Sequence, residues 1–387
     1  MTFILLCMQE LSTLLPASAG FLFFIQSCYY GGLYRKLYTH SQQAQGTTDT
    51  PPLSVIIVAK DSASDLRKNL PAILEQDYPD YEVIVIYDRS DKDESEDVLK
   101  LLQDKYHHLY YTFIPDSAKY ISHKKLGVTM GIKASRHEWL VFTEANCLPT
   151  SNQWLRKLAS NFTDTTDIVL GYSNYEMTSG WFNRKITFDT LLHSMRYLGM
   201  AISGHPYMGC GRNLAYRKSL YYNQKGFTNH LNLQRGEDDL FINQTTNGKN
   251  TRVEASPESV MRITTPHYPK SWKEEKLNHV TTSRHFKGWT RHLMGLETCS
   301  RLLFLACVLA CIASGILMKD WIMVGIASLL WILRFILQVV VFRKTSIALN
   351  ERKFIFTLPL FDWMQPLWNL GFKLQQRFRR KDEFMRK

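Results

Sequence analysis

A doubly wound α/β half flanked by transmembrane helices is the fold class this 387-residue sequence predicts. Two observations predict it. Short apolar runs rich in β-branched residues alternate with segments whose apolar residues recur at helical spacing, and long apolar stretches lie near both ends of the chain. At 45% hydrophobic residues the chain can bury a core in one large domain or two smaller ones.

The first strand is expected at 53–59 (LSVIIVA), after a polar linker ending in Pro51-Pro52. Leu66, Leu70, Ile73 and Leu74 then mark a helix, 82–87 (EVIVIY) a second buried strand, and Val98, Leu101 and Leu102 one face of the next helix. A further helix over 122–135 leads to a strand at 139–143. The second half, about 167–266, mixes short strands with a longer helix around 186–200. Ligands of such sheets bind beyond the carboxyl ends of the strands. Asp61, Asp88, and the pair Glu144 and Asn146 follow the three strands in that order.

The flanking stretches set the membrane topology. Residues 11–34 carry no charge and are long enough for a hydrocarbon layer roughly 30 Å thick. A cleaved signal peptide is the rival, but no Lys or Arg precedes the run and 31–34 is a poor cleavage site. Residues 302–318 and 321–342, separated by Lys319-Asp320, read as a transmembrane hairpin. Arg35 and Lys36 flank the first span, Arg301 precedes the second and Arg343-Lys344 follow the third, so the positive-inside rule puts the intervening domain and the tail in the cytoplasm. Residues 354–372 contain Asp362 and two prolines, and a fourth crossing would misplace the basic tail, so an interfacial helix is expected. The expected segments are a membrane helix in 1–36, a linker over 37–52, a cytoplasmic domain over 53–290, a membrane hairpin over 300–343, and an interfacial helix with basic tail over 354–387. The net charge of +12 clusters at membrane flanks with no nucleic-acid motif, which points to anionic lipid and a phosphorylated substrate rather than nucleic acid. The seven cysteines include no CxxC pair, so neither a disulfide framework nor a zinc site is indicated.

The segments PPLSVIIVAKD, DYPDYEVIVIYDRSDKDES, KKLGVTMGIKAS, FTEANC, GCGRNLAYRKSLYYNQKGF and GEDDLF, in this order, resemble the membrane-integrated family 2 glycosyltransferases. These are enzymes of the GT-A (nucleotide-diphospho-sugar transferase, Rossmann-like) fold that include cellulose and hyaluronan synthases and ceramide glucosyltransferase. The resemblance covers about 51–289. It implies transfer of a sugar from a UDP- or GDP-sugar to an acceptor hydroxyl with inversion, chemistry that needs a base on the acceptor and neutralisation of the departing diphosphate.

The resemblance assigns the base to Asp238, with Asp239 its near rival and Glu237 beside them; the same acids could instead complement a helix N-terminus. At 144–146 the family carries Asp-x-Asp, whose carboxylates hold Mg²⁺ or Mn²⁺ against the diphosphate, whereas this chain has Glu144 and Asn146. Three outcomes stay open: a weakened metal site, basic side chains in place of the metal, or an inactive relative. Asp88 is implied to hold the nucleotide base or ribose, with Asp61 and Asp93 as companions, although the acidic run 91–97 by itself reads as a solvated helix start. Tyr87 and Asp61-Ser62 stand where family members often carry an Asp and an Asn-Glu pair.

Lys124 and Lys125 open a helix where the family places a lysine near the nucleotide, or else form a solvated face. In Gly209-Cys210-Gly211-Arg212-Asn213 the glycines admit a close ligand and Arg212 offers a fork for phosphate, a plain hairpin being the alternative. The Gln-x-x-Arg-Trp motif of processive members matches neither 275–279 nor 284–289, leaving Arg284, Lys287 and Trp289 as candidates to grip a diphosphate or pack at the membrane. The mismatch argues against polymer extrusion. The expectation is a non-processive transferase of a bacterial inner membrane acting on a lipid-linked or envelope-glycan acceptor. Its alternatives are a catalytically silent relative that binds a nucleotide sugar or scaffolds a glycan-assembly complex, and a membrane scaffold using the domain for protein contacts only.

Overall fold

The computed structural model describes residues 2–41, 49–88, 94–115 and 122–378; Asp93, part of the linker and the last residues of the tail lie outside these. The chain divides into an α/β unit, Thr39–Gly288 with Phe372–Lys387, and a helical unit, Met1–Tyr38 with Trp289–Gly371.

In the α/β unit, β1 (Leu53–Lys60), β2 (Tyr81–Asp88), β3 (Leu109–Ile114) and β4 (Trp139–Glu144) are parallel in the order β3-β2-β1-β4. β1, β2 and β4 are buried along nearly their whole length, as expected of apolar strands covered on both faces. Past β4 the sheet continues through β8 (Leu214–Arg217), antiparallel to it, to β6 (Ile168–Gly171) and β9 (Thr251–Glu254), leaving out two short strands, β5 (Cys147–Pro149) and β7 (Ser173–Tyr175). β10 (Met261–Ile263) joins β5 and β7 in a small second sheet. The chain reverses its order across the sheet between β1 and β4, the switch point at which open α/β sheets leave a crevice past their carboxyl ends. Lys60 and Asp88 are paired in register at the ends of β1 and β2, and Glu144 closes β4.

Two expectations for the α/β unit need correction. β3 was not anticipated: its pattern, LYYTFI, is only partly buried at the edge of the sheet. In the helix Ser95–Lys105 the buried face is Val98 and Leu99, while Leu101 is 71% exposed.

The helix His123–Ala134 lies close on the sheet because it presents glycines to it. A Cβ on Gly131 would stand 2.5 Å from Cγ2 of Ile56 and 2.8 Å from Cδ1 of Ile86. Gly131→Ala is therefore expected to destabilise the domain by about 1–3 kcal/mol through overpacking, seen as a lower thermal midpoint of the detergent-purified protein. An unchanged midpoint would contradict this packing. Ser122 caps the helix by accepting the Lys125 N–H at 3.1 Å, and the first turn holds Lys124 at the crevice.

In the helical unit, Thr290–Met318 and Trp321–Ala348 are, among the described residues, two helices long and apolar enough to cross a membrane. Lys319, in the left-handed conformation, turns the chain between them. The expected first span falls on the helix Thr2–Cys28 and the π-helical turn Tyr29–Tyr34; the side chains of residues 1–12 lie outside the description.

Arg301 is not a flanking charge. It lies inside its helix, fully buried, with Nε 3.6 Å from Glu297 and Nη2 donating to Gln365 at 2.7 Å. Arg334, inside the next helix, donates to Asp362 at 2.7 Å and to Gln26 at 3.1 Å. Asp362, on the helix Leu358–Phe378, also accepts from Gln338 at 2.9 Å and faces Arg301 at 3.4 Å. The charge that argued for an interfacial helix is thus the hub of a buried polar network within this unit.

Candidate active site

Three carboxylates reach the crevice from separate strands and a helix start. Asp88 accepts from His123 Nδ1 at 3.1 Å and lies 3.5 Å from Lys60 Nζ. Glu144 accepts from Lys124 Nζ at 2.6 Å on one oxygen and from Arg212 Nε at 2.9 Å on the other. Asp238 caps the helix Asp239–Thr245, with Oδ1 accepting the Asp239 N–H at 2.7 Å and Oδ2 the Gly211 N–H at 2.8 Å. A Cβ on Gly211 would stand 3.2 Å from the Asp238 carboxylate, a tight contact that a larger residue would make only if that carboxylate shifted.

Two cavities meet at Glu144. One, of 690 Å³, is lined by Lys60, Asp61, Asp88, His123 and Asn146. The other, of 510 Å³, is lined by Asp238, Asp239, Arg212, Glu275, His193 and His279. Lys124, Glu144 and Arg235 line both.

The electrostatics follow from burial among charges. Burial by itself would raise the Glu144 pKa, but Lys124 and Arg212 outweigh it and hold the carboxyl well below its usual range. Burial works against the charge of Lys124, yet Glu144 and Glu237, the latter 3.1 Å away, raise its pKa above the ordinary lysine value. Arg212 extends the chain of charges to Glu275 at 2.7 Å, and Glu275 accepts from the Tyr175 hydroxyl at 3.0 Å. Asp238 goes the other way: burial, then the adjacent Asp239 and Glu237, push its pKa up to about 6 against the opposing pull of Lys124. A carboxylate poised near neutrality is what general base chemistry requires.

Several expected site residues act elsewhere. Lys125 donates to the backbone carbonyls of His230 and Leu233 at 2.5 and 2.7 Å, so it holds a loop instead of a nucleotide. Asn213 is buried, donating to the carbonyls of Tyr172 and Ser259 and accepting from Trp154 Nε1, which ties the sheet together. Gly209 lines the second cavity but packs against Ile242. Arg284 lines neither cavity, and Lys287 is engaged through its backbone with Asn243 at 2.8 Å. Trp289 belongs to the helical unit. Asp239 lines the second cavity but is held by the Thr282 hydroxyl and faces His279 Nδ1 at 3.4 Å. Asp61 takes a positive φ of 48° as the chain leaves β1. Sequence reasoning missed His123, Glu275, His279 and Arg235.

The residues present do not fit a divalent cation. Both Glu144 oxygens are taken by cationic side chains, and the neighbouring position is the amide of Asn146. Among the described residues no group of three or more His, Cys, Asp or Glu is placed to hold a metal ion.

Residues 54–223 match the family described as Glycosyl transferase family 2, a span that takes in Asp61, Asp88, Lys124, Glu144 and Arg212. This part of the chain is similar to family 2 glycosyltransferases. Asp238 and its neighbours lie beyond the matched residues. No curated protein matches the chain. Among solved structures, the mannosyltransferase PcManGT from Pyrobaculum calidifontis, in complex with GDP-Man and Mn²⁺, is 14% identical with a TM-score of 0.52, the match covering 92% of this chain and 99% of that one. S. aureus TarS 1-349 in complex with UDP-GlcNAc is 12% identical with a TM-score of 0.42, covering 84% and 89%. At these identities the first likeness bears on the fold alone, which is α/β and GT-A-like.

Proposed function

We propose that the transferase domain moves a sugar from a nucleoside-diphosphate sugar to an acceptor hydroxyl with inversion, Asp238 taking the acceptor proton. The observation that carries this reading is the meeting of the two cavities at Glu144, with Asp88 on one side and Asp238 on the other. Asp88, with Asp61 and His123 beside it, holds the nucleoside. Lys124 and Arg212 stand where a leaving diphosphate would gather charge. Asp238, fixed by two backbone N–H groups, faces the cavity left for the acceptor. The GDP-Man complex of the similar mannosyltransferase structure supports a nucleoside-diphosphate sugar as donor.

The apolar helices Thr290–Met318 and Trp321–Ala348 support a membrane anchor, and the domain is proposed to lie on the cytoplasmic face of a bacterial inner membrane, acting on a lipid-linked or envelope-glycan acceptor. The test is release of nucleoside diphosphate from a panel of UDP- and GDP-sugars by the detergent-purified full-length protein. Slow donor hydrolysis without an acceptor, and a product of inverted anomeric configuration by NMR with one, are expected. Donor binding without turnover would select the silent relative, and a product of retained configuration would exclude the single-displacement role of Asp238.

A further inference from the structure

We propose that Lys124 and Arg212, anchored by Glu144, neutralise the donor diphosphate in place of a divalent cation, and that Glu275 is the carboxylate the diphosphate displaces. The inference rests on the reading that the crevice takes a nucleoside-diphosphate sugar.

Mg²⁺ at such a site is held by one or two free carboxylates together with substrate phosphate and water. Glu144 is not free: Lys124 Nζ is 2.6 Å from one oxygen and Arg212 Nε 2.9 Å from the other. A dication approaching Glu144 meets two fixed positive charges at contact distance, and Asn146 brings no negative charge to offset them. Asp88, the last residue of β2 and separated from β4 by β1, is already engaged by His123 and Lys60.

The cations themselves are built for an anion. The side chains of Lys124 and Arg212 are only 23% and 14% exposed, each held between two acids, so their geometry is set before a ligand arrives. Arg212 has five N–H donors, of which Nε is committed to Glu144 and Nη1 to Glu275. The two partners are unequal. Glu144 ends a central strand and is 23% exposed, while Glu275 projects from the helix Pro269–Ser283 and is 41% exposed. Replacing Glu275 by a phosphate oxygen keeps the bond to Glu144 and gives the guanidinium a more highly charged partner. Arg235, lining both cavities and 45% exposed, supplies a third cation.

The experiment titrates UDP and GDP into the full-length protein in detergent, once in EDTA and once in millimolar Mn²⁺. One of the two nucleotides is expected to bind with affinities that agree within about twofold between the conditions. Glu275→Gln, which removes the competing carboxylate and keeps the helix, should tighten that binding about threefold to tenfold in both. Arg212→Lys should weaken it about tenfold, since a point charge replaces the fork. Affinity that falls tenfold or more in EDTA, or that does not respond to Glu275→Gln, overturns the inference and leaves the donor reading standing. Binding of neither nucleotide in either condition overturns both.

Discussion

Asp238→Asn is expected to lower sugar transfer by about 10²–10⁴-fold, the contribution of a positioned general base, while nucleoside diphosphate affinity stays within about twofold. Asn keeps the shape of the side chain and one oxygen for one of the two N–H groups, Gly211 and Asp239, that bond separate oxygens of Asp238, but it cannot accept a proton from the acceptor. The pH dependence has a definite sign. The base works only when ionised, and its pKa is pushed up to about 6, so the wild-type rate should fall as pH drops through that value and level off above it. Burial is the largest cause of the shift and Asp239 the next, with Glu237 adding to them and Lys124 opposing. Asp239→Asn should therefore move the acid limb to lower pH while turnover persists. The measurements are initial rates across pH for the three proteins. A loss of activity on Asp239→Asn equal to that on Asp238→Asn would transfer the base role to Asp239.

Asp362→Leu is expected to destabilise the protein by about 3–5 kcal/mol, the cost of breaking a buried ion pair from one side. Arg301 and Arg334 are 0% and 2% exposed, and both face this carboxylate. Glu297, also fully buried, lies against Arg301. Removing Asp362 leaves two guanidinium groups with one acid between them in an apolar unit, where charge is least tolerated. Adding Arg334→Met to Asp362→Leu takes away the orphaned charge and should recover part of the loss. Thermal midpoints of the single and double variants in detergent check this; a single variant as stable as the wild type would contradict the network.

The strands β1, β2 and β4 were legible because burial on both faces demands continuous apolar runs, and the acids past their ends followed from topology. β3 was not, because an edge strand needs only one apolar face and its tyrosines blur the pattern. Lys124 and Lys125 are neighbours on one helix turn, about 100° apart on its surface, and composition gives no means of telling which one faces the crevice. Asn213 misled for a related reason: a polar residue in a glycine-rich loop suggests a ligand, while here it satisfies buried carbonyls. The role of Glu275 depends on a contact with Arg212, 63 residues away, which only the folded chain creates. Arg334 was hidden in an apolar stretch whose average hydropathy conceals a single charge, and Arg301 was misplaced because its helix begins at Thr290, well before the apolar run.

Donor binding requires the acids at the ends of β1, β2 and β4 and at the Asp239–Thr245 helix start to face one crevice that takes an activated sugar. Photoaffinity labelling of the full-length protein with azido analogues of UDP and GDP, mapped by mass spectrometry, tests this most directly. Labelling confined to peptides around Lys60–Asp65, His123–Lys124 and Glu144–Asn146, and suppressed by excess unlabelled nucleotide, is the predicted result. Labelling elsewhere on the domain, or none that excess nucleotide suppresses, would contradict it.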